Sequence, residues 1–250
     1  MGNDVCPIIT IGRIQVAVFP IILLLAIYAC LFVLVLSSRY TAQAYVDVKK
    51  SIVPIMIGAT LGGKTLYALT RIADGEQALW GILNGFVFYG GILGATIGLW
   101  IYTKKHKIPF FVLSDIYASL LPLGQAIGRL GCFLNGCCYG KPYDGIGGVV
   151  YPVNGTYIRV FPTWFVEAGF CFLLFIYMFK VCESKAHGFY TAVYITGYSV
   201  FRFVIEFFRG DEVRGGWHGI STSQMISVPL MFCGIVMFHF IYANSVRKSS

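Results

Sequence analysis

The sequence predicts an all-α integral membrane protein with seven transmembrane helices and a re-entrant or irregular segment between helices 4 and 5. Of its 250 residues, 57% are hydrophobic and only 12% are charged, and the mean hydropathy is +0.74. A soluble domain carries about 25% charged residues. The apolar residues form seven runs, each near the length of about 20 residues that crosses a bilayer. No internal repeat and no second domain are visible, so we expect a single polytopic membrane domain over residues 1–250.

The predicted spans are taken in chain order from the apolar runs. They lie near residues 14–36, 51–70, 80–102, 110–127, 162–181, 189–208 and 224–242. The second span contains Gly58, Gly62 and Gly63 beside Lys64. We therefore expect one face of this helix to carry small residues and one position to be polar. After the fourth span, a loop rich in glycine and proline runs to residue 161 and predicts irregular or short-strand structure.

Lysine and arginine are unevenly distributed between the predicted loops. With the amino terminus outside, ten of them fall on the cytoplasmic side and seven on the outer side, and cytoplasmic loops carry the excess in membrane proteins. We therefore expect a multi-pass protein of the cell (inner or plasma) membrane with an outer amino terminus and a cytoplasmic carboxyl terminus. The net charge of +8 suits anionic headgroups. We expect no nucleic-acid partner, because no basic stripe carries interleaved aromatic residues.

The stretch from Gly128 to Pro142 combines an arginine, an asparagine, three cysteines, four glycines and a lysine within fifteen residues. Glycine at this density allows backbone to come close to a ligand or to other backbone. Arg129 supplies a planar charged fork that suits a phosphate or a carboxylate. In so apolar a chain, these residues indicate a polar cavity, although a tight re-entrant turn without chemistry is the alternative.

A second group of ionisable residues lies in the sixth predicted span. Arg202 and Glu206 are four residues apart and share one helix face, which Arg209 continues. Either they form a self-contained ion pair, or Glu206 orients an arginine that meets an anion. No acid lies within seven residues of Arg129. We therefore expect Arg129 and Arg202 to converge on one phosphate, supplied by a phospholipid headgroup.

The clustered cysteines Cys132, Cys137 and Cys138 allow several interpretations. They could pack as small apolar residues or form a disulfide in which Cys132 is one partner, if the loop faces an oxidising exterior. A covalent acyl or lipid carrier is a further interpretation. A zinc site lacks a fourth ligand at standard spacing, so we expect no metal.

Five blocks of the chain, in order, resemble conserved segments of the prolipoprotein diacylglyceryl transferase family. The blocks are Gly62-Gly63-Lys64-x-x-Tyr67, Tyr89-Gly90-Gly91-x-x-Gly94, Gly128-Arg129-x-Gly131-x-Phe133-x-Asn135-x-x-x-x-Gly140, Tyr198-x-x-x-Arg202-Phe203-x-x-Glu206-Phe207-Phe208-Arg209 and Gln224-x-x-Ser227-x-Pro229. The resemblance covers most of the chain. Agreement of five ordered blocks by chance is improbable.

The resemblance implies a bacterial membrane enzyme of lipoprotein biosynthesis that uses no cofactor. Such an enzyme moves a diacylglyceryl group from phosphatidylglycerol to the cysteine thiol of a lipoprotein precursor, next to its signal peptide, and glycerol phosphate leaves. The implied catalytic residues are Tyr89, Arg129 and Arg202. The implied substrate-binding residues are Lys64, Gly90, Gly91, Asn135, Gly140, Tyr198, Glu206 and Arg209.

The chain departs from the family pattern at four positions. Tyr89 replaces a histidine, Cys132 an asparagine and Cys137 a glutamate, and Lys64 stands for an arginine in the first block. Free tyrosine titrates near pH 10 and is a poor base for a thiol, so Tyr89 could instead hydrogen-bond a headgroup oxygen or serve as an interfacial aromatic. Three alternatives follow: a paralogue that uses another acceptor, a non-catalytic lipid-binding relative, or a small transporter with glycine-broken helices.

Overall fold

The structure, a computed structural model, describes residues 8–11, 14–73, 85–153, 155–181, 186–210, 216–217 and 219–249. Its α-helices in these residues are α1 Val18–Leu36, α2 Ala42–Ala73, α3 Phe88–His106, α4 Phe110–Leu134, α5 Thr163–Ile176, α6 Phe189–Ile205 and α7 Thr222–Ser249. The strands pair as β1 Ile8–Ile11 with β2 Ile14–Ala17, β3 Val149–Val153 with β4 Thr156–Val160, and β5 Gly216–Trp217 with β6 Ile220–Ser221. A π-helical turn, Tyr177–Val181, follows α5, and a 3-10 turn, Glu206–Phe208, follows α6.

The helices confirm a predominantly helical, multi-pass membrane protein. Five segments within the described residues are long and apolar enough to cross a bilayer: Val18–Leu36, Ala42–Ile72, Phe110–Leu134, Thr163–Lys180 and Thr222–Ala243. Helices α3 and α6 lie where the third and sixth spans were predicted, but neither is among these five. The start of the third predicted span, at residues 80–84, lies outside the described residues. The count of seven spans therefore stays a prediction.

The end of the fourth predicted span is wrong, because α4 continues from residue 127 to Leu134. The glycine-rich stretch thus begins inside a helix. A Cβ on Gly131 would stand 3.2 Å from Ile22 Cγ2, so the missing side chain lets α1 approach α4 closely. The helix ends where Gly136 adopts a φ of +74°, and the amides of Gly136 and Cys137 donate to the carbonyls of Phe133 and Cys132. This pair of bonds is a Schellman C-cap.

The chain divides into two compact units, one of residues 1–36 with 115–250 and the other of residues 37–114. The single-domain organisation stays a prediction. In the unit of residues 37–114, α2 packs against α3 through glycine on both helices. A Cβ on Gly62 would lie 2.3 Å from the carbonyl oxygen of Gly90, and one on Gly94 would lie 2.0 Å from that of Gly58. The small face predicted for the second span is therefore confirmed, and it allows close backbone approach.

In the other unit, the β3–β4 hairpin covers the end of α4 and the start of α5. Tyr151 lies opposite Ile158 in the antiparallel register. Tyr151, Val160 and Trp164 form a buried core, and the ring of Phe133 packs against it. Since the hairpin lies within the predicted loop, the expectation of short-strand structure is confirmed. Hydrogen bonds from Trp164 and Thr163 hold Cys137 and Cys138 close to the start of α5.

Candidate active site

Three arginines from separate segments converge on the carboxylate of Glu167, on α5. Arg129 Nη2 of α4 contacts Glu167 Oε2, Arg209 Nη1 lies 2.9 Å from Glu167 Oε1, and Arg202 Nη1 of α6 lies 3.5 Å from the same oxygen. The Glu167 side chain is only 1% exposed. Arginine and glutamate are costly inside an apolar protein unless they are paired. Glu167 is thus the centre of a buried ion-pair cluster.

The fifth member of the cluster is Glu206, one turn beyond Arg202. Arg202 Nη2 lies 2.7 Å from Glu206 Oε2 and donates to Ser223 Oγ of α7 at 3.0 Å. The predicted pairing of Arg202 and Glu206 at a spacing of four residues is confirmed. We name the five residues Arg129, Glu167, Arg202, Glu206 and Arg209 the arginine cluster.

The sequence predicts that Arg129 meets an anion from outside its own segment. In the structure the carboxylate of Glu167, on a different helix, is one such anion. Sequence spacing does not indicate this pair, because the two residues are distant in the chain and meet only where α4 contacts α5. One signal did point to Glu167: it is an acid within an apolar run, and such residues have partners.

The cluster carries more positive than negative charge. Its three guanidinium groups face two carboxylates, which leaves one net positive charge in a buried region. Arg202 Nη1 makes no direct hydrogen bond among the described residues, and it meets Glu167 Oε1 only at an ion-pair distance of 3.5 Å. Arg202 therefore keeps donor capacity that its long contact with Glu167 does not use. The arrangement is therefore suited to an anionic ligand.

The three arginine side chains differ in how far they are exposed. The Arg129 side chain is 17% exposed, whereas those of Arg202 and Arg209 are 9% and 3% exposed. Tyr198 Oη accepts a hydrogen bond from Arg129 Nη2 at 3.5 Å. Arg129 is thus the arginine best placed to meet a ligand from outside, and Tyr198 helps to hold its side chain.

Gly140 contributes to the site through its backbone. It forms an isolated antiparallel bridge with Arg209, and the amide of Gly210 donates to the carbonyl oxygen of Tyr139. A Cβ on Gly140 would stand 2.3 Å from the carbonyl oxygen of Phe161. Because no side chain fits there, Gly140 lets the loop after α4 hold Arg209 beside α5. The structure leaves its predicted contact with substrate untested.

The remaining predicted residues lie on three elements. Asn135 is half-buried immediately after α4. Lys64 lies on α2 and Tyr89 on α3, where the Tyr89 ring contacts Phe88. Gly90 and Gly91, also on α3, are buried in its packing, and a Cβ on Gly91 would stand 2.6 Å from Phe86 Cζ. Their roles with a substrate stay predictions.

The cysteines Cys132, Cys137 and Cys138 lie together at the end of α4. Their three Sγ atoms are all within 4.8 Å of one another, and each is a half-buried thiol that forms no disulfide. Hydrogen bonding from the two neighbouring thiols lowers the pKa of Cys138, and the charges of Arg209 and Arg129 act in the same direction. The thiol cluster therefore adjoins the arginine cluster.

An apolar groove runs between α4 and α5. Its volume is about 320 Å³, and its lining includes Leu123, Ile127, Leu130 and Phe172. Leu130 is 45% exposed and Phe172 48% exposed, as expected of side chains that meet lipid. Since Arg129 lies between Ile127 and Leu130 along α4, the groove and the cluster occupy the same part of the helix.

Fold and site together define a polytopic helical membrane protein with a buried, net-positive arginine cluster and an apolar groove at the same level of α4. The chain belongs to the prolipoprotein diacylglyceryl transferase family, whose profile matches residues 7–240. A phosphatidylglycerol–prolipoprotein diacylglyceryl transferase of Clostridium tetani is 37% identical over 191 residues, which cover 74% of this chain and 76% of the relative. Proteins with this name in Clostridium perfringens (numbered 2 there) and Rickettsia bellii are 32% and 31% identical, over 81% and 79% of this chain and 82% and 78% of their own lengths.

Proposed function

We propose that the protein is a membrane transferase that moves the diacylglyceryl group of phosphatidylglycerol to the cysteine thiol of a lipoprotein precursor. The observation that carries this proposal is the arginine cluster, in which three buried guanidinium groups face two carboxylates. Family membership and the names of the relatives identify the substrates. The amino terminus is proposed to lie outside and the carboxyl terminus in the cytoplasm.

The reaction replaces a carbon–oxygen bond with a carbon–sulfur bond. The acceptor sulfur attacks the carbon of the diacylglyceryl group that bears the phosphate oxygen, and the thiol proton passes to water. The electron pair of the broken carbon–oxygen bond leaves with glycerol phosphate. Negative charge thus grows on the phosphate as the bond breaks. Preorganised positive charge at such a place is a large source of rate enhancement.

The three arginines are proposed to have different roles, which follow from how deeply each is buried. Arg129, the most exposed of the three, takes the phosphate with its two-pronged guanidinium, and the Nη1 of Arg202 supplies a second donor. Glu167 holds the guanidiniums of Arg129 and Arg202 in place, and Glu206 also holds that of Arg202. Arg209 in turn contacts Oε1 of Glu167. Tyr198 positions Arg129.

The other substrate contacts follow from the resemblance. Lys64, Tyr89, Gly90 and Gly91 are proposed to meet the headgroup or the acceptor, with Tyr89 standing where the family has a histidine. Asn135 and Gly140 are proposed to bind substrate from the loop after α4. The groove between α4 and α5 suits an acyl chain, because its lining is apolar.

A direct assay tests the proposal. Purified protein in detergent is incubated with phosphatidylglycerol that carries a labelled glycerol headgroup and with a signal peptide containing the acceptor cysteine. We expect the peptide to gain one diacylglyceryl group by mass spectrometry and labelled glycerol phosphate to appear in equal amount. A matched peptide with serine at the acceptor position is expected to stay unmodified.

The replacement of the family's histidine and glutamate by Tyr89 and Cys137 favours one second candidate, a paralogue with a different acceptor. The same assay separates the two. With membrane extract added as a source of other acceptors, release of labelled glycerol phosphate without modification of the peptide would support the paralogue. Absence of both products with and without the extract, in protein shown to be folded, would contradict a transferase that uses this lipid.

A further inference from the structure

We propose that Cys132, Cys137 and Cys138 form a binding site for one thiophilic metal ion, with Zn²⁺ as the best match. Their three sulfurs lie within 4.8 Å of one another. In a tetrahedral site with Zn–S bonds of about 2.3 Å, neighbouring sulfurs are roughly 3.8 Å apart. Small rotations of the three side chains would therefore bring the sulfurs to ligand geometry without movement of the backbone. The inference does not depend on the proposed transferase reaction.

Local structure explains why these thiols meet. In the Schellman cap at the end of α4 the chain turns back, and the Cys137 amide donates to the Cys132 carbonyl oxygen at 3.2 Å. The two cysteines are therefore close together. Cys138 then adopts a φ of +64°, a left-handed conformation that is unfavourable for a residue with a side chain. Strain of this kind persists only where the surroundings impose it, and it is concentrated at functional sites.

The surroundings hold the two loop cysteines from α5. Trp164 Nε1 donates to the carbonyl oxygen of Cys137 at 2.5 Å, and Thr163 Oγ1 donates to that of Cys138 at 2.7 Å. These bonds fix both peptide units, so the convergence of the sulfurs is built into the backbone. Thiols that only fill space do not need a fixed backbone, whereas thiols that bind one metal ion together must be held in a defined geometry.

The number of thiols favours a metal over a disulfide. A disulfide uses two cysteines and leaves the third, whereas all three sulfurs here converge. Among the described residues, no fourth histidine, cysteine or carboxylate joins the group. Zinc sites with three protein ligands keep their fourth position for water or another small ligand. The nearby guanidiniums of Arg129 and Arg209 also offset the negative charge of three thiolates around a divalent ion.

Metal binding is tested with reduced, purified protein and Co²⁺ or Zn²⁺ alone. We expect one ion per chain by elemental analysis and a thiolate-to-cobalt charge-transfer band. Cys132→Ser and Cys137→Ser should each weaken Co²⁺ binding at least tenfold. Cys30→Ser and Cys233→Ser serve as matched controls and should bind as the unmodified chain does. No cobalt–thiolate band in the unmodified protein, or an unchanged band in Cys132→Ser and Cys137→Ser, would overturn the proposal.

A second measurement does not depend on whether the variants fold. Unmodified protein is alkylated with and without Zn²⁺, and the extent of reaction is read at each cysteine by peptide mass spectrometry. We expect Zn²⁺ to slow alkylation of Cys132, Cys137 and Cys138 at least tenfold and to leave Cys233 unaffected. Equal alkylation in both conditions would refute the site, as would a disulfide between two of the three cysteines in protein isolated without reductant.

Discussion

Arg129 on α4 and Glu167 on α5 form a buried ion pair that joins two helices of the same unit. Glu167 carries two further arginines, so its carboxylate is shared by three guanidinium groups. Arginine held in this way is rigid and already desolvated before a ligand arrives. A phosphate that enters then meets donors whose geometry is set, which is the condition for strong electrostatic stabilisation.

Glu167→Gln tests whether this carboxylate is the centre of the cluster. Removal of one partner of a buried ion pair costs about 3–5 kcal/mol, and here three arginines lose the charge at once. We expect a large fall in the thermal midpoint of the purified protein and loss of lipid turnover. The matched variant Glu206→Gln removes a carboxylate whose one ion pair among the described residues is with Arg202, so its midpoint should fall less. Equal midpoints for the two variants would contradict the central place of Glu167.

Trp164→Phe tests the anchoring of the loop that carries Cys137. The change removes the Nε1–H donor and leaves the carbonyl oxygen of Cys137 without it. An unsatisfied buried group costs about 1–3 kcal/mol, so we expect a clear loss of stability in thermal unfolding. Trp100→Phe is the control, because Trp100 is 51% exposed, and its midpoint should stay close to that of the unmodified protein. A stable Trp164→Phe variant would show that this bond does not hold the loop.

Gly94→Ala tests the close approach of α2 and α3. The added Cβ would lie 2.0 Å from the carbonyl oxygen of Gly58, which is backbone and cannot rotate away. Overpacking of this kind costs about 1–3 kcal/mol or more, so we expect lower stability in the same assay. Gly169→Ala, on α5, is the control, because nothing lies within 4 Å of its Cβ position. Alanine there should be neutral or slightly stabilising, and a similar loss for both variants would argue against the glycine contact.

Local features of this fold and site could be predicted from the sequence. The Arg202–Glu206 pair follows from helical spacing, and the small face of α2 follows from its glycines. Both depend on residues within a few positions of each other. The same holds for the hairpin after the fourth span, where glycine and proline mark the turns.

Features that depend on contacts between distant segments could not be predicted. No pattern along the chain joins Arg129 to Glu167, since that pair forms only when α4 packs beside α5. The sequence does not predict the extension of α4 to Leu134, because clustered glycine favours a loop, whereas Gly131 allows α1 to pack closely against α4. The meeting of the three cysteines depends on the Schellman cap and on Trp164 and Thr163, which the sequence does not bring together.

The central claim is that the arginine cluster binds the phosphate of phosphatidylglycerol, and Arg129→Lys tests it most directly. Lysine keeps the charge but loses the two-pronged contact. Arg159→Lys is the matched control, because Arg159 is exposed on β4 and its Nε donates to the carbonyl oxygen of Gly148, immediately before β3. The measurement is phosphatidylglycerol consumption by both variants and the unmodified protein in matched membranes, at equal expression. We expect turnover by Arg129→Lys to fall at least about tenfold, equivalent to about 1.4 kcal/mol, and turnover by Arg159→Lys to stay unchanged. Equal turnover by Arg129→Lys and the unmodified protein would contradict the phosphate-binding role of the cluster.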